Sequence, residues 1–467
     1  MTQPFPDNVF LNGPMAPSGI ECDAPDLIVE GDLPSDLQGV YFRNGPDPLY
    51  PPREGEQYHW FHGDGMIQRF EIGGGRVSWK NRWVRTEKYE LERAAGKSLF
   101  GVLGNPMTAD PSVAGKHYNT ANTHIVWHGN RLMALMEGTI AVELEPKTLA
   151  TIGNFNYDGQ INGPITAHPK MDHHSGEMVF FGSQAKGPFS AFLRMNVADK
   201  DGNLIKNEMI EAPFPSFAHD FFVTEKYVVF PVYPLVFNLD RAISGGIPMA
   251  WEPERGTHFG VMPRNGSAAD VKWHSMDARW SFHMVNAWDE DSTIKVDVCA
   301  SNASNFAPKL DGIMASSDDG LAPTVRRWTI DVGGSTNSVS EDMLDDMTCE
   351  FPRLDDRMMT RVHRHAWLVG GHSRELRFNR LVHYDLKTGA RKIWGEDQYL
   401  LGEPVFAPRA GATGEGDGYL LVLAYNQTTQ LSQLMVFAAQ DIERGPLARA
   451  KLPLRIPSGF HGTWVGV

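Results

Sequence analysis

A short strand–turn–strand pattern recurs along the chain and limits its possible folds more than any other feature. Each copy joins an apolar, strand-like run to a turn rich in Asp, Gly or Lys and then to a second short run. The seven copies are FEIGGGRV (70–77), VELEPKTL (142–149), MNVADKDGNL (195–204), FGVMPRNGSAADVKW (259–273), WTIDVGGS (328–335), HYDLKTGARKIW (383–394) and FAAQDIERGPLARAKL (437–452). Their starts lie between 53 and 72 residues apart. Repetition of a four-stranded unit predicts a β-propeller, although the same turns occur in other β proteins.

Composition and local pattern favour an all-β chain. The 46 Gly and 31 Pro predict frequent turns. Runs such as EKYVVFPV (225–232) and GYLLVLAY (418–425) have the β-branched and aromatic content of strands, whereas amphipathic helices are few. Because no low-complexity linker divides the sequence, we expect residues 1–467 to form a single domain.

Charge and cysteine content exclude several classes of partner and compartment. The net charge of −14 argues against nucleic acid, since a phosphate backbone requires a basic surface. Three scattered cysteines indicate free thiols in a reducing compartment. With neither a signal peptide nor an apolar run long enough to span a membrane, the sequence predicts a cytoplasmic protein. Its oligomeric state stays open, with a homodimer as one alternative.

Four of the 17 histidines stand in apolar or small-residue settings that predict burial. They are His168 in TAHPK, His219 in FAHDFF, His283 in FHMVNAW and His461 in GFHGTW. Most histidines in proteins lie at the surface or in hydrogen-bonded core positions, but a buried imidazole requires a partner or a metal. The H-E-x-x-H pattern of zinc hydrolases does not occur.

Three glutamates have similarly apolar surroundings and fall into series with these histidines. They are Glu137 in LMEGTI, Glu350 in MTCEFPR and Glu403 in GEPVFAP. The seven positions are separated by 31, 51, 64, 67, 53 and 58 residues, close to one blade of a propeller each. A metal-bound imidazole usually donates its second N–H to a carboxylate, so the glutamates are predicted to support the histidines.

These motifs resemble those of the carotenoid cleavage oxygenases along nearly the whole chain. The resemblance rests on GVYFRNGPDPLYPP and YHWFHGDGM near the start, on the histidine motifs in this order, and on IPSGFHGTWV at the end. It implies a seven-bladed propeller with loops and short helices capping an axial metal site. It further implies Fe(II) held by His168, His219, His283 and His461, with Glu137, Glu350 and Glu403 behind three of them.

The resemblance also implies a reaction. O2 binds at the iron, Thr123 crowds one of the two remaining coordination positions, and the C=C bond of an apolar alkene is cleaved into two carbonyl products. No acid–base residue is needed, which agrees with the lack of a catalytic triad or carboxylate dyad in the sequence.

Local sequence around KSLFGVLGNPMTADPSVAGKHYNTANT is most similar to the bacterial branch that cleaves stilbenes and phenylpropenes. In that branch an aromatic residue at the position of Phe61 packs on the substrate ring, and a tyrosine and a lysine bind its para-hydroxyl group. Here those two positions hold Leu103 and Met136, neither of which can bond a phenol. A less polar stilbenoid or aryl alkene and an apocarotenoid therefore both stay open as substrates.

Two alternatives to alkene cleavage follow from the same residues. One is a redox-neutral enzyme of this fold, in which the metal acts as a Lewis acid in retinoid isomerisation or ester cleavage. The other is a propeller that binds an apolar ligand without catalysis, with the histidines in structural roles only.

Overall fold

Antiparallel sheets make up most of the computed structural model, which describes residues 4–53, 57–304, 306–334, 336–372 and 377–466. The chain divides into two compact units. Unit 1 comprises residues 1–162, 394–413 and 417–467, and unit 2 comprises 163–393 and 414–416.

Unit 1 begins with nine strands. They are β1 Asp23–Ala24, β2 Ile28–Gly31, β3 Gly39–Arg43, β4 Met66–Gly73, β5 Arg76–Trp83, β6 His124–His128, β7 Arg131–Leu135, β8 Ala141–Leu144 and β9 Thr151–Phe155. Unit 2 holds the next eighteen strands. The last of these strands ends at Trp394, the first residue of the segment 394–413 that belongs to unit 1. They are β10 Lys170–Met171, β11 Met178–Gly182, β12 Phe192–Ala198, β13 Leu204–Glu211, β14 Phe222–Val223, β15 Tyr227–Val232, β16 Leu235–Phe237, β17 Met249–Trp251, β18 Thr257–Pro263, β19 Lys272–Met276, β20 Trp280–Glu290, β21 Thr293–Ser301, β22 Thr324–Asp331, β23 Val339–Met343, β24 Cys349–Arg353, β25 His365–His372, β26 Arg377–Asp385 and β27 Ala390–Trp394.

The chain then returns to unit 1 for five more strands. They are β28 Tyr399–Pro408, β29 Gly418–Asn426, β30 Leu431–Ala438, β31 Ala448–Lys451 and β32 Gly462–Gly466. Two α-helices occur among the described residues, α1 Glu87–Ala95 and α2 Leu239–Ile243, and neither is long and apolar enough to cross a membrane. Short 3₁₀ helices lie at Val9–Leu11, Gly13–Met15, Trp60–His62, Val102–Gly104, Pro111–Val113, Pro253–Arg255, Ala268–Asp270, Ser317–Asp319, Asp356–Met358 and Ile442–Arg444.

The described strands form seven sheets of four or five strands and one two-stranded ribbon, β16–β17. Unit 1 holds the orders β1-β5-β4-β3-β32, β6-β7-β8-β9 and β2-β31-β30-β29-β28. Unit 2 holds β10-β11-β12-β13, β14-β15-β18-β19, β20-β21-β22-β23 and β24-β25-β26-β27. The seven repeated segments of the sequence fall in seven different sheets, each at a hairpin between neighbouring strands. The fold is a seven-bladed β-propeller, which confirms the prediction; a cap over the metal site stays a prediction.

Two sheets of unit 1 join the beginning of the chain to its end. Strand β3 pairs with β32 from Gly39↔Gly466 to Arg43↔Gly462, and β2 pairs with β31. Strand β3 pairs with β4 on its other side, so β32 lies at the edge of this sheet. A full ladder of backbone hydrogen bonds to β3 holds it there. This pairing fixes His461, the residue directly before β32.

Apolar residues from the faces of these sheets form the cores of both units. In unit 2, Trp251, Phe259 and Trp328 are at most 2% exposed and belong to one cluster. In unit 1, Tyr41, Phe70 and Leu421 belong to another and are fully buried. Sheet-on-sheet burial of aromatic and β-branched side chains supplies the rigid scaffold on which the functional side chains are carried.

Candidate metal centre

Three of the predicted histidines converge within unit 2. His168 lies two residues before β10, His219 three residues before β14, and His283 within β20. All three are buried, at 7%, 4% and 8% exposure. The Nε2 atoms of His168 and His219 are 2.8 Å apart, and the ring of His283 lies 5.1 Å from each of the other two rings.

His461 is the fourth member and is the most deeply buried, at 3% exposure. One ring nitrogen of each of the four lies within 4.8 Å of the others, so the set could hold one metal ion. We call these four residues the histidine cluster. Ring nitrogens approach as closely as those of His168 and His219 when they share a proton or a metal. Four imidazoles suit iron, copper, nickel or zinc, so the donor set fits a transition metal.

Register irregularities in three strands turn the functional side chains away from the regular ladder. The pairing of β20 with β21 shifts on both sides of Met284, next to His283. The pairing of β24 shifts after Glu350, and that of β28 shifts between Leu401 and Pro404, which flank Glu403. Such bulges re-aim a side chain at a functional site, and here each one lies at a residue of the predicted series.

Two glutamates contact histidines of the cluster directly. Glu350 Oε2 lies 2.6 Å from His283 Nδ1 and also accepts a hydrogen bond from the Phe351 backbone N–H. Glu403 Oε1 lies 2.9 Å from His461 Nδ1, while its Oε2 accepts from the Gly462 backbone N–H. A carboxylate that accepts from Nδ1 fixes the tautomer in which Nε2 carries the free lone pair for a metal.

Glu137 differs from the other two glutamates. Its side chain is half-buried, whereas those of Glu350 and Glu403 are at most 8% exposed. The chain turns after β7 at Glu137 and Gly138, where Gly138 has a φ of 96°. The Oε2 atom of Glu137 is nevertheless buried, as the apolar setting of LMEGTI predicts, and its supporting role stays a prediction.

Thr123 and Phe61 lie beside the segment that carries His461. The backbone oxygen of Thr123 accepts a hydrogen bond from the His461 N–H at 3.2 Å, and its hydroxyl donates to Asn122 Oδ1 at 3.0 Å. The half-buried ring of Phe61 stands edge-on to Phe460 at 5.5 Å. Thr123 thus contacts His461 through its backbone, and the ring of Phe61 contacts the residue directly before His461.

Leu103 and Met136 occupy different kinds of position. Leu103 is 50% exposed and has a φ of 53°, in the left-handed region. Its backbone N–H donates to His62 Nδ1 at 3.1 Å, so its loop is bonded to the residue after Phe61. Met136 is half-buried directly after β7. The structure thus gives their locations, and their contact with a substrate stays a prediction.

An aromatic group that we did not predict from the sequence adjoins the cluster in unit 2. Phe282 lies 5.4 Å from the ring of His219, Phe351 lies 5.3 Å from that of His283, and Phe306 packs on both Phe217 and Phe282. Phe217, Phe282 and Phe306 are only partly buried. For Phe217, Phe282 and Phe351 the available signal was their place beside a histidine in FAHDFF and FHMVNAW or beside the glutamate in CEFPR.

A buried ion pair was also missed, although its members stand within the motifs TAHPK and HDF. Lys170 Nζ lies 2.5 Å from Asp220 Oδ1, and the two side chains are 7% and 6% exposed. Each member stands within two residues of a histidine of the cluster. By contrast Asp64, which the sequence did not indicate as a ligand, pairs with buried Lys88 at 2.7 Å.

Comparison with known proteins agrees with the seven-bladed fold. The family model described as retinal pigment epithelial membrane protein (RPE65) matches residues 15–466. Isoeugenol monooxygenase of Pseudomonas nitroreducens is 35% identical, with 97% of each chain covered. Lignostilbene-alpha,beta-dioxygenase isozyme III of Sphingomonas paucimobilis is also 35% identical, over 98% of this chain and 97% of that one. The crystal structure of Pseudomonas brassicacearum lignostilbene dioxygenase superposes with a TM-score of 0.95 and 36% identity over all of both chains. The chain belongs to the RPE65/carotenoid oxygenase family.

Proposed function

We propose that this protein is a non-haem Fe(II) dioxygenase that cleaves the C=C bond of a conjugated apolar alkene with O2. The observation that supports this proposal most is the histidine cluster, in which four buried imidazoles are close enough to share one ion. Among the described residues, no carboxylate belongs to this group. The balanced reaction converts one alkene and one O2 into two carbonyl compounds. The relatives named as oxygenases of isoeugenol and lignostilbene support this reaction class.

Ferrous iron is the proposed metal and supplies, when bound, the electrons that activate O2. The protein's part is to present four neutral imidazoles. Glu350 and Glu403 hold the Nδ1 protons of His283 and His461, which keeps the opposite nitrogens as donors. We propose that Glu137 has the same supporting role and that Thr123 narrows access to one coordination position beside His461.

Aromatic side chains near the cluster support an apolar, conjugated substrate. Phe217 and Phe282 present partly exposed rings next to His219, and Phe306 packs on both of them. Such aromatic faces stabilise cationic character on an alkene. We propose that Phe61 packs against the substrate and that Leu103 and Met136 line its other end. Because those two side chains offer no hydrogen bond, burying a phenol there costs about 1–3 kcal/mol.

The same proposal extends to domain and compartment. A family match that runs unbroken over residues 15–466 supports one propeller domain spanning 1–467. Cys22, Cys299 and Cys349 are all free, which supports a cytoplasmic location.

The test is incubation of the Fe(II)-loaded protein with stilbenes, phenylpropenes and apocarotenoids under air. Aldehyde products are identified by mass, and O2 consumption is measured in parallel. We expect one O2 consumed for each alkene cleaved. Turnover of a retinoid without O2 consumption would instead identify a redox-neutral enzyme, and a protein that binds no metal and turns over no alkene would contradict the proposal.

The substrate-end assignment has its own test. Leu103→Tyr combined with Met136→Lys should raise kcat/KM for a 4-hydroxystilbene by about tenfold, since a restored charged hydrogen bond is worth about 1.5–3 kcal/mol. The methoxy analogue, which has no hydroxyl proton to donate, is the matched control. An equal change for both substrates would show that the two residues do not contact this group.

A further inference from the structure

One carboxylate in unit 2 links the three chain segments that carry His168, His219 and His283. Asp220 directly follows His219, and its Oδ1 lies 2.5 Å from Nζ of Lys170, two residues after His168. Its Oδ2 accepts a hydrogen bond from the backbone N–H of Met284, the residue after His283, at 3.1 Å. Asp220 therefore bonds to two segments while belonging to the third.

Three contacts engage both oxygens of this carboxylate. Besides Lys170 and Met284, it accepts from the Phe221 backbone N–H at 2.8 Å, which fixes its own orientation. As whole residues, Asp220 and Lys170 are 4% and 6% exposed. A hydrogen-bond network buried away from water is stiff, because breaking a contact leaves a buried polar group less well paired.

None of the three histidines lies in a regularly paired part of a described strand. His168 and His219 lie outside β10 and β14, and His283 lies at the register shift of β20. Their positions therefore depend on side-chain contacts as well as on strand pairing. Thr166 adds a weaker link, since its hydroxyl accepts from the His168 N–H and donates to the His219 carbonyl at 3.4 Å.

From this arrangement we infer that Asp220 and Lys170 are positioning residues, which hold three of the four histidines at the spacing that one metal ion requires. The inference rests on the proposed function insofar as the cluster binds a metal, and it adds residues that do not touch the metal. A preorganised ligand set avoids the cost of collecting mobile side chains on binding, so loosening it lowers affinity.

The experiment compares metal binding by the wild type, Asp220→Asn, and Asp220→Asn combined with Lys170→Met. Asparagine keeps the size of the side chain but removes its charge, and methionine removes the ammonium group that would otherwise remain buried alone. Co²⁺ is titrated into metal-free protein, giving a dissociation constant and the visible absorption of the bound ion. Anaerobic Fe²⁺ retention and the urea midpoint of unfolding are measured on the same samples.

We expect about 10–100-fold weaker Co²⁺ binding by Asp220→Asn, with altered absorption that reports a changed ligand geometry. In the double variant the unfolding midpoint should return towards that of the wild type, while Co²⁺ binding stays weak. If the ion pair had a structural role only, Co²⁺ binding in the double variant would recover together with the unfolding midpoint. Asp64→Asn, which disturbs the comparably buried pair with Lys88, is the matched control and should leave Co²⁺ binding unchanged.

Two outcomes overturn the inference in distinguishable ways. If the wild type and Asp220→Asn bind Co²⁺ with equal affinity and equal spectra, the positioning role is wrong while the metal centre stands. If the wild type binds neither Co²⁺ nor Fe²⁺, the proposed metal centre itself is wrong and the positioning role falls with it.

Discussion

The chain buries a second set of histidines that resembles the histidine cluster by simple criteria. His363, His365 and His383, which we call the second histidine group, are 6%, 5% and 4% exposed. His365 Nδ1 and His383 Nε2 lie 3.0 Å apart, almost as close as the 2.8 Å contact between His168 and His219. Burial and a short imidazole contact are therefore shared by both sets.

Their remaining partners separate the two sets. In the histidine cluster, carboxylates bind Nδ1 of His283 and His461 at 2.6 and 2.9 Å. In the second histidine group, Asp297 lies 3.7 Å from His363 Nε2 and instead pairs with Arg327 at 2.7 Å. Trp367 stacks on His383 with an interplanar angle of 14°. The ring nitrogens of the histidine cluster converge on a common point, whereas the second histidine group resembles a packed core.

The largest expected difference is in metal retention. His219→Ala removes one of four donors and should abolish iron retention and turnover, a loss of at least about 10³-fold in kcat/KM. His383→Gln is the control in the second histidine group and should keep the metal. Iron is measured after gel filtration, and turnover by product formation. Equal metal loss in the two variants would remove the distinction between the sets.

The carboxylates offer an intermediate contrast. Glu350→Gln keeps the fold but weakens the acceptor at His283 Nδ1, so metal affinity should fall by about 10–100-fold. Asp297→Asn removes charge opposite Arg327 and should lower the free energy of unfolding by about 1–3 kcal/mol. Metal affinity should be unchanged in Asp297→Asn, and unfolding little changed in Glu350→Gln. The opposite pattern would show that Asp297, and not Glu350, supports the metal-binding histidines.

The fold was predictable because its signals are local. A hairpin such as FEIGGGRV depends on apolar runs and a glycine turn, and it forms the β4–β5 connection at Gly73 to Arg76. The burial of His219 and His461 was likewise predictable from their immediate neighbours. Each of the seven hairpin segments in the sequence lies in a different sheet of the structure.

The missing details depend on contacts between distant segments. The 2.6 Å bond of Glu350 to His283 joins residues 67 positions apart, and it was predicted only as one of several pairings. Asp220 accepts a hydrogen bond from the backbone N–H of Met284, 64 positions away, and nothing in the HDF motif predicts this contact. Phe351, with a φ of 51°, lies in a conformation that an aromatic residue adopts only when its surroundings impose it.

The smallest expected effect is a pH dependence of stability that belongs to the second histidine group. Burial, followed by the neighbouring His365, lowers the pKa of His383 from 6.5 to about 4. The unfolded chain therefore binds more protons between pH 4 and 6.5, and the free energy of unfolding falls as the pH decreases through this window.

Well above pH 6.5 both states are neutral at this residue, so its contribution there is constant. From pH 7.5 to 6.0 it lowers the free energy of unfolding by about 1 kcal/mol. Urea denaturation of metal-free wild type and His383→Gln at the two pH values measures it, and metal release does not interfere. The variant should lose about 1 kcal/mol less than the wild type over this interval. Parallel losses would mean that His383 does not stay neutral in the folded protein, and the description of the second histidine group as a neutral, packed core would then be wrong.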